Sequence, residues 1–331
     1  MIPRTYAPNE SINNPGRYVD DPISCTVIKE YNGAYELTLS VTNKADVDRL
    51  TLYNVIMAKP DNNSNEQPFR IYSWGWDKNI FTAKAKHLTF DFNAIPMPYW
   101  AGHKIYDLVG VLQYYLVNDV PNISPINIIT DFTQYDLMLN PAEFGNTSVG
   151  EMLTRIGDTM NGNVEIIRDK YQVKINHPQT RNRGVVLFRN RNITYDRSSD
   201  DSNTANGIMA YTKTGSQYFY TQPQIIQTDS PMFPLKGIVV DMSEKFSQIS
   251  DLNRLAKDYI DSHENSFNSY TRVNVLAMDD SINPISAGDT IRINTDYKFV
   301  SKTEYDVLRE RTIALEFDSI IPRVGDIIWT R

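Results

Sequence analysis

Two carboxylates separated by one residue are the sequence's most direct candidate for acid–base chemistry. Glu304 and Asp306 lie on one face of a predicted strand, because side chains alternate between the two faces of a strand. Paired carboxylates supply the acid and the base of glycoside hydrolysis. Here they alternate with Tyr305 and Val307, the pattern of an amphipathic strand with one solvated face. We therefore predict no catalytic residue, and a cell-wall hydrolase is the alternative that this pair leaves open.

The histidines and the sequence motifs give no cofactor or metal site. The four histidines lie far apart in the chain, and none forms the i, i+4 pair of a zinc-binding helix; they are His87, His103, His177 and His263. The phosphate-binding glycine loops and the nucleophile elbow of hydrolases are also missing. The single cysteine, Cys25, lies in an alternating stretch that predicts a core position. We expect no cofactor, no metal and no disulfide.

One loop partly resembles a calcium-binding loop. Asp61, Asn63 and Asn65 have the spacing of its opening ligands. The resemblance ends there, since Glu66 stands where the loop needs a glycine and Tyr72 where it needs a bidentate glutamate. We interpret the segment as an ordinary polar loop.

Aromatic and basic residues suggest binding rather than catalysis. Trp74, Trp76 and Trp100 could stack on sugar rings, so a carbohydrate-binding module is a second alternative, although tryptophans at strand edges are more often partly buried. The one dense basic run contains Arg181, Arg183, Arg189, Arg191 and Arg197. It indicates either solvated strand ends or contact with nucleic acid or an acidic partner. The nearby Asp196, Asp200 and Asp201 would offset its field.

The overall charge argues against a surface that grips phosphates. The chain of 331 residues carries a formal net charge of −7. No stretch approaches the roughly 20 apolar residues that a membrane helix needs, and the polar start lacks the apolar core of a signal peptide. We expect no stable membrane insertion.

The elements that position these residues are mostly strands. The stretch CTVIKEY, the pair Asn32-Gly33 and the stretch AYELTLSV predict a hairpin with a two-residue turn. Further strands are predicted in LTLYNVIMA, PFRIYSW, NIFTAKA, HLTFDF, KFVSKTEYDVL and TIALEF. The β-rich composition, with 20 tyrosines, favours the same class.

Three segments have helical spacing. Ser148 and Glu151 form a capping-box pattern before a helix over 148–160, which a hairpin near Asp169-Lys170 follows. The stretch IYDLVGVLQYYLV predicts a less regular helix, with Leu108, Val111, Leu112 and Tyr115 on one side. The third helix has its apolar face at Leu252, Leu255, Ala256, Tyr259 and Ile260, after a plausible cap at Ser250.

In order, these elements resemble the hub proteins of phage tail tips, in particular the N-terminal region shared by tail-associated lysins and minor structural proteins of phages with long non-contractile tails. Four parts of the chain carry the resemblance and cover nearly all of it after the first 16 residues. They are ISCTVIKEYNGAYELTLSV; NIFTAKAKHLTFDF; SVGEMLTRIGDTMNGNVEIIRDKYQVKI with RGVVLFRNRNITYDRSSDDSNTANGIMAYTKTG; and LNRLAKDYIDSHE with SAGDTIRINTDYKFVSKTEYDVLRERTIALEF.

The resemblance implies an α+β, mainly β fold. Each chain of a homotrimer would give two antiparallel β-barrel-like domains to a pseudo-sixfold ring, decorated by two small α/β units. The predicted parts are a first barrel (1–118), an α/β unit (119–185), a discontinuous second barrel (186–234 and 285–331) and an inserted helix-bearing unit (235–284).

The resemblance also implies a structural role in the virion for a protein made in the host cytoplasm. The expected partners are the distal tail protein, the tape-measure protein and tail fibre or receptor-binding proteins, and DNA would pass without specific binding. Many relatives continue into a lysin or fibre region, whereas this sequence stops at Arg331, so the resemblance implies no enzyme activity here.

Overall fold

The computed structural model describes the chain in segments, and strands dominate them. The described residues are 1–8, 10–42, 47–62, 64–98, 104–120, 127–133, 147–159, 164–179, 181–187, 193–197, 207–214, 217–227, 237–242, 252–257, 271–275, 285–293 and 296–318. Within them, no helix is both long and apolar enough to cross a membrane.

The first ten strands are β1 (Arg4–Tyr6), β2 (Arg17–Tyr18), β3 (Pro22–Glu30), β4 (Tyr35–Val41), β5 (Val55–Ala58), β6 (Gln67–Asp77), β7 (Ile80–His87), β8 (Asn127–Thr130), β9 (Glu165–Asp169) and β10 (Gln172–Asn176). The others are β11 (Arg181–Leu187), β12 (Ile193–Arg197), β13 (Gly207–Thr214), β14 (Gln217–Tyr220), β15 (Ile226–Gln227), β16 (Gly237–Asp241), β17 (Thr271–Val275), β18 (Asp289–Ile293), β19 (Asp296–Asp306) and β20 (Arg311–Asp318). The helices are α1 (Ile105–Asn118), α2 (Val149–Thr159), a 3₁₀ helix (Leu88–Ala94) and a short helix over 252–257.

The described residues form two compact units. Unit 1 consists of those within Met1–Thr194 and Val273–Glu316, and unit 2 of those within Tyr195–Arg272 and Phe317–Ile321. The large sheet of unit 1 runs in the order β20, β19, β3, β4, β7, β6, β5, β1, β2, and β19 also pairs with β18, which continues to β11. Over the described residues, this order does not close into a barrel.

The first predicted hairpin is confirmed, but its turn is not the predicted one. β4 alternates buried and half-buried residues as expected, with Tyr35, Leu37, Leu39 and Val41 in the core. A two-residue turn needs positive φ at both central residues. In the structure Asn32 has a φ of 56°, whereas Gly33 is not among the glycines with positive φ. The strands instead join at Glu30 and Ala34, where the Glu30 amide donates to the Ala34 carbonyl at 2.7 Å.

Two predicted strands were wrong in part. The stretch LTLYNVIMA becomes a strand only at Val55, because the chain turns at Tyr53 with a φ of 72°. The stretch HLTFDF is the 3₁₀ helix, since the backbone leaves β7 at His87 and the His87 ring accepts a hydrogen bond from the Thr89 amide. Local side-chain capping therefore overrides the apolar alternation in this segment.

A second core of unit 1 lies between helices and a small sheet. Its strand order is β8, β10, β9, with β8 parallel and β9 antiparallel to β10. The β9–β10 hairpin is confirmed, with a two-residue turn at Lys170 and Tyr171. The helix α1, predicted within 1–118, shares this core with α2 and the small sheet. Its buried side is Ile105, Leu108, Val109, Leu112 and Leu116, so the predicted placement of Val111 on that side was wrong.

Unit 2 is built on a four-stranded sheet. β13 pairs with β14 and β15 in antiparallel orientation and with β16 in parallel orientation. Its core contains Ile208, Ala210 and Met242 together with Leu252 and Ala256 of the predicted third helix. The predicted helix positions Ser250, Tyr259 and Ile260 lie outside the described residues.

Candidate interaction surfaces

The paired carboxylates lie near the C-terminal end of β19. β19 runs antiparallel to β3, with Glu304 opposite Ile28 and Asp306 opposite Thr26. The carboxylate of Asp306 accepts hydrogen bonds from the amides of Leu308 and Arg309, both at 3.1 Å. It therefore stabilises the turn between β19 and β20.

The calcium-like loop uses its first carboxylate internally. Asp61 is buried, and its oxygens accept hydrogen bonds from the Ser64 amide at 2.6 Å and from the Ser286 hydroxyl at 3.1 Å. Glu66 pairs with Arg4. Asn63 lies outside the described residues. In the described part of the chain, no group of three histidine, cysteine or acidic side chains is placed to hold a metal.

His87 is a buried structural residue of unit 1. Its Nε2 lies 3.1 Å from Gln67 Oε1, its Nδ1 lies 2.9 Å from Thr89 Oγ1, and its ring stacks on Tyr35 at 4.7 Å. Arg168 donates to the same Thr89 oxygen at 3.0 Å, which leaves the hydroxyl hydrogen for Nδ1. Burial, with Arg168 and Lys29 nearby, lowers the pKa of His87 well below its usual range. The site therefore holds a neutral imidazole.

The other predicted polar candidates are placed as follows. His177 lies 3.1 Å from Asp131 at an exposed position. Arg181 forms an ion pair with Glu165, a carboxylate whose pKa is raised by burial and lowered in part by Arg181. His103, His263, Arg189 and Arg191 lie outside the described residues, as do the side chains of Arg183 and Arg197. Arg181 is thus committed to an internal pair.

Cys25 occupies the core position that its alternation predicted. Its side chain is fully buried in the core between β3, β4 and β7. Burial raises the pKa of the thiol, and the nearby Asp306 raises it further. A buried thiol with a raised pKa is a poor nucleophile.

Two of the three predicted tryptophans lie together on the hairpin of β6 and β7. Trp74 and Trp76 are 47% and 46% exposed and sit on one face of β6. Both contact Phe81, Trp74 by stacking at 5.5 Å and Trp76 edge-on at 5.3 Å. Trp100 lies outside the described residues. Both tryptophans are exposed side chains that contact Phe81, and we call this pair the tryptophan ribbon.

A second exposed apolar surface was missed by the sequence analysis. The side of α1 that points away from the core carries Tyr106, Val111, Tyr114 and Val117, and we call these four residues the α1 outer face. Tyr114 and Val117 are 68% and 72% exposed. The signal is present in the sequence, since Asp107 is the only charged residue of this 14-residue helix. A helix that is apolar on all sides is normally buried on all sides.

The chain matches no protein-family model and no curated protein sequence. Its fold is similar to solved structures over nearly its full length. The 43 kDa tail protein of prophage MuSo2 from Shewanella oneidensis gives a TM-score of 0.64 at 9% identity, covering 97% of this chain and 98% of that chain. The tail protein from Neisseria meningitidis MC58 gives 0.59 at 12% identity, covering 96% of both chains. The prophage tail protein gp18 from Listeria monocytogenes EGD-e gives 0.57 at 11% identity, covering 96% and 94%.

The predicted resemblance to phage tail proteins is confirmed at the level of the fold. The predicted mainly β class is confirmed as well. At these identities the similarity describes how the chain is folded.

Proposed function

We propose that this protein is a structural component of a phage tail, namely a trimeric hub at the tail tip. The observation that carries the proposal is the full-length fold similarity to three tail proteins, two of them from prophages, in which both chains of each pair are covered almost completely. The proposal is a fold-level analogy that extends over the whole of both chains.

In this proposal the chain works through interfaces. Three copies surround the channel, and each contributes the two barrel-like domains and the two α/β units predicted above, whose boundaries stay predictions. The hub joins the tail tube and the distal tail protein to fibre or receptor-binding proteins, contacts the tape-measure protein, and closes or gates the channel. We expect a channel wall without a basic ring, because such a ring would hold the phosphates of passing DNA.

The proposed role is not enzymatic. The predicted carboxylate pair supports this, because Asp306 is engaged by two backbone amides and by Arg309 at 3.3 Å. Clearing of host cell walls in a zymogram by the purified protein, lost on Glu304→Gln, would instead support the hydrolase alternative.

Location in the virion tests the proposal. Gold-labelled antibodies raised against the full chain are applied to phage particles that encode it. The proposal predicts gold at the distal end of the tail. Gold on heads, gold along the tube, or particles that lack the protein by mass spectrometry would contradict it.

The tryptophan ribbon favours a second candidate function, which is binding of surface carbohydrate. Two half-exposed indole rings on one strand face can stack on sugar rings. A glycan array probed with the full chain tests this function. Binding that is lost with Trp76→Ala and kept with Tyr297→Ala, a matched exposed aromatic on β19, would support it.

A further inference from the structure

A groove runs between the α1 outer face and β8 in unit 1. Its volume is about 790 Å³, and its lining includes Tyr106, Gly110 and Tyr114 of α1 together with Ile129 of β8. The lining residues in the described part of the chain include two of β8 and none of β9 or β10. Among the described residues, the groove is thus bounded chiefly by α1 and β8.

The two edges of the small sheet differ. At β9, the side-chain amide of Asn32 donates to the Val164 carbonyl at 2.7 Å and accepts from the Ile166 amide at 2.7 Å, so this edge is closed from within unit 1. At the other edge, β8 pairs with β10 and with no other strand among the described residues. A strand edge beside an apolar groove is the setting in which an extended peptide adds to a sheet.

Gly110 lies in the interior of α1 and on the groove side. A Cβ at this position would meet no heavy atom of the described residues within 4 Å, so their packing does not require a glycine. Glycine disfavours a helix interior, and one common reason for keeping it is the close approach of another backbone. Gly110 thus leaves open space on the groove side of α1, one turn away from Tyr106 and from Tyr114.

The charges of the groove indicate what kind of segment it accepts. Among the described lining residues, Asp107 and Asp119 are acidic and none is Lys, Arg or His. Asp107 lies in the first turn of α1 and Asp119 is the residue that follows its last turn, so at the helical rise the two are roughly 18 Å apart along the helix axis. An extended chain covers that span in about six residues. A second copy of this chain, with its net charge of −7, complements such a groove less well than a basic segment does.

We propose that this groove binds an extended segment of a different protein as a fourth strand beside β8. The segment places small apolar side chains against Tyr106 and Tyr114 and basic side chains, about six residues apart, near Asp107 and Asp119. Its backbone passes over Gly110. The inference does not rest on the tail role, since it follows from the strand edge, the glycine and the charges alone.

Fluorescence anisotropy with the full chain tests the proposal. The probe is the fluorescein-labelled peptide KVTVTVK, and the comparison peptide is EVTVTVE. We expect saturable binding of the basic peptide at least tenfold tighter than that of the acidic one. No saturable binding of the basic peptide, or equal binding of the two peptides, would overturn the proposal.

Variants assign any binding to the groove. Gly110→Leu and Tyr114→Glu should each weaken binding of the basic peptide tenfold or more, whereas Tyr297→Glu, at an exposed tyrosine of β19, should leave it unchanged. The double variant Asp107→Lys with Asp119→Lys should reverse the preference between the peptides, a gain that misfolding cannot produce. Unchanged binding by Gly110→Leu would contradict the site. A loss of self-association in that variant would show that the groove holds a second copy instead.

Discussion

The two helices on the small sheet of unit 1 both bury an apolar side, but the outer side of α2 is charged and the outer side of α1 is apolar. On α2, Glu151 and Arg155 form an ion pair at 2.6 Å one turn apart, and the Ser148 hydroxyl caps the helix by accepting from the Glu151 amide. On α1, the corresponding outer side is the apolar α1 outer face. The outer side of α2 is therefore charged, whereas that of α1 is apolar, which suits the second packing partner proposed above.

The two helices also differ in the surroundings of their glycines. A Cβ on Gly150 of α2 would lie 1.8 Å from Asn93 Oδ1 and 2.7 Å from the Asn93 amide nitrogen. Gly150 therefore allows α2 to approach the 3₁₀ helix closely. A Cβ on Gly110 of α1 would meet only open space. One glycine is explained by packing inside unit 1 and the other is not.

The largest expected effect is at the packed glycine. Gly150→Ala forces a methyl group against Asn93, and overpacking of this kind costs about 1–3 kcal/mol of the free energy of unfolding. Urea unfolding of the purified protein measures it. A neutral or stabilising result would show that the helix and the 3₁₀ segment do not need their close approach.

The closed edge of the small sheet gives the next effect. Asn32→Ala removes the side-chain amide that pairs with the Val164 carbonyl and with the Ile166 amide. Leaving such groups unsatisfied costs about 1–3 kcal/mol of the free energy of unfolding. Hydrogen exchange should show faster exchange of the Ile166 amide. Asn127→Ala, at an exposed position of β8 on the opposite edge, is the matched control and should change little. Equal losses of stability in Asn32→Ala and Asn127→Ala would contradict the claim that Asn32 closes the β9 edge.

Acid should lower the free energy of unfolding by destabilising the 3₁₀ helix that His87 caps. His87 caps the 3₁₀ helix, and its pKa in the folded protein lies well below the value of about 6.5 expected in the unfolded chain. The stabilisation from the neutral ring is complete above the unfolded-chain pKa of about 6.5. It is lost as the pH falls toward the lowered pKa, at up to about 1.4 kcal/mol per pH unit.

Unfolding measured between pH 7 and pH 5 tests this prediction. His87→Gln keeps a polar side chain without a titrating group, so its stability should be lower at pH 7 but should depend less on pH. Identical pH dependence in the two proteins would contradict the assignment of a neutral buried ring.

The smallest expected effect has the opposite sign. Gly110→Ala should raise the free energy of unfolding by about 0.5–1 kcal/mol, because alanine favours a helix interior and the space is open. Thermal unfolding of the full chain, compared with that of Gly150→Ala, measures the contrast. If Gly110→Ala is destabilising, the position is constrained within unit 1, and the argument for an approaching backbone is lost.

Local patterns with a strong physical cause were predictable from the sequence. Strict alternation in β4 identified its buried face, and the Ser148 cap with its apolar spacing identified α2. The β9–β10 hairpin follows from two short alternating stretches. In each case the residues that decide the structure are neighbours in the chain.

Contacts between distant residues account for what could not be predicted. Asn32 adopts a positive φ within its turn while its amide binds β9, more than 130 residues away. The short strand β8 is defined by its parallel pairing with β10. The apolar outer side of α1 blurred its helical period, because residues facing the core and residues facing outward are both hydrophobic. The missing polar side of this helical pattern is also the feature that indicates the α1 outer face.

The central claim is that this chain forms a trimeric tail-tip hub, and native mass tests it most directly. Light scattering on the purified full chain, with negative-stain imaging of the same sample, is the measurement. We expect a particle of about three times the 38.0 kDa chain mass with a threefold ring. A protein that stays monomeric, alone and after addition of the distal tail protein, would contradict it.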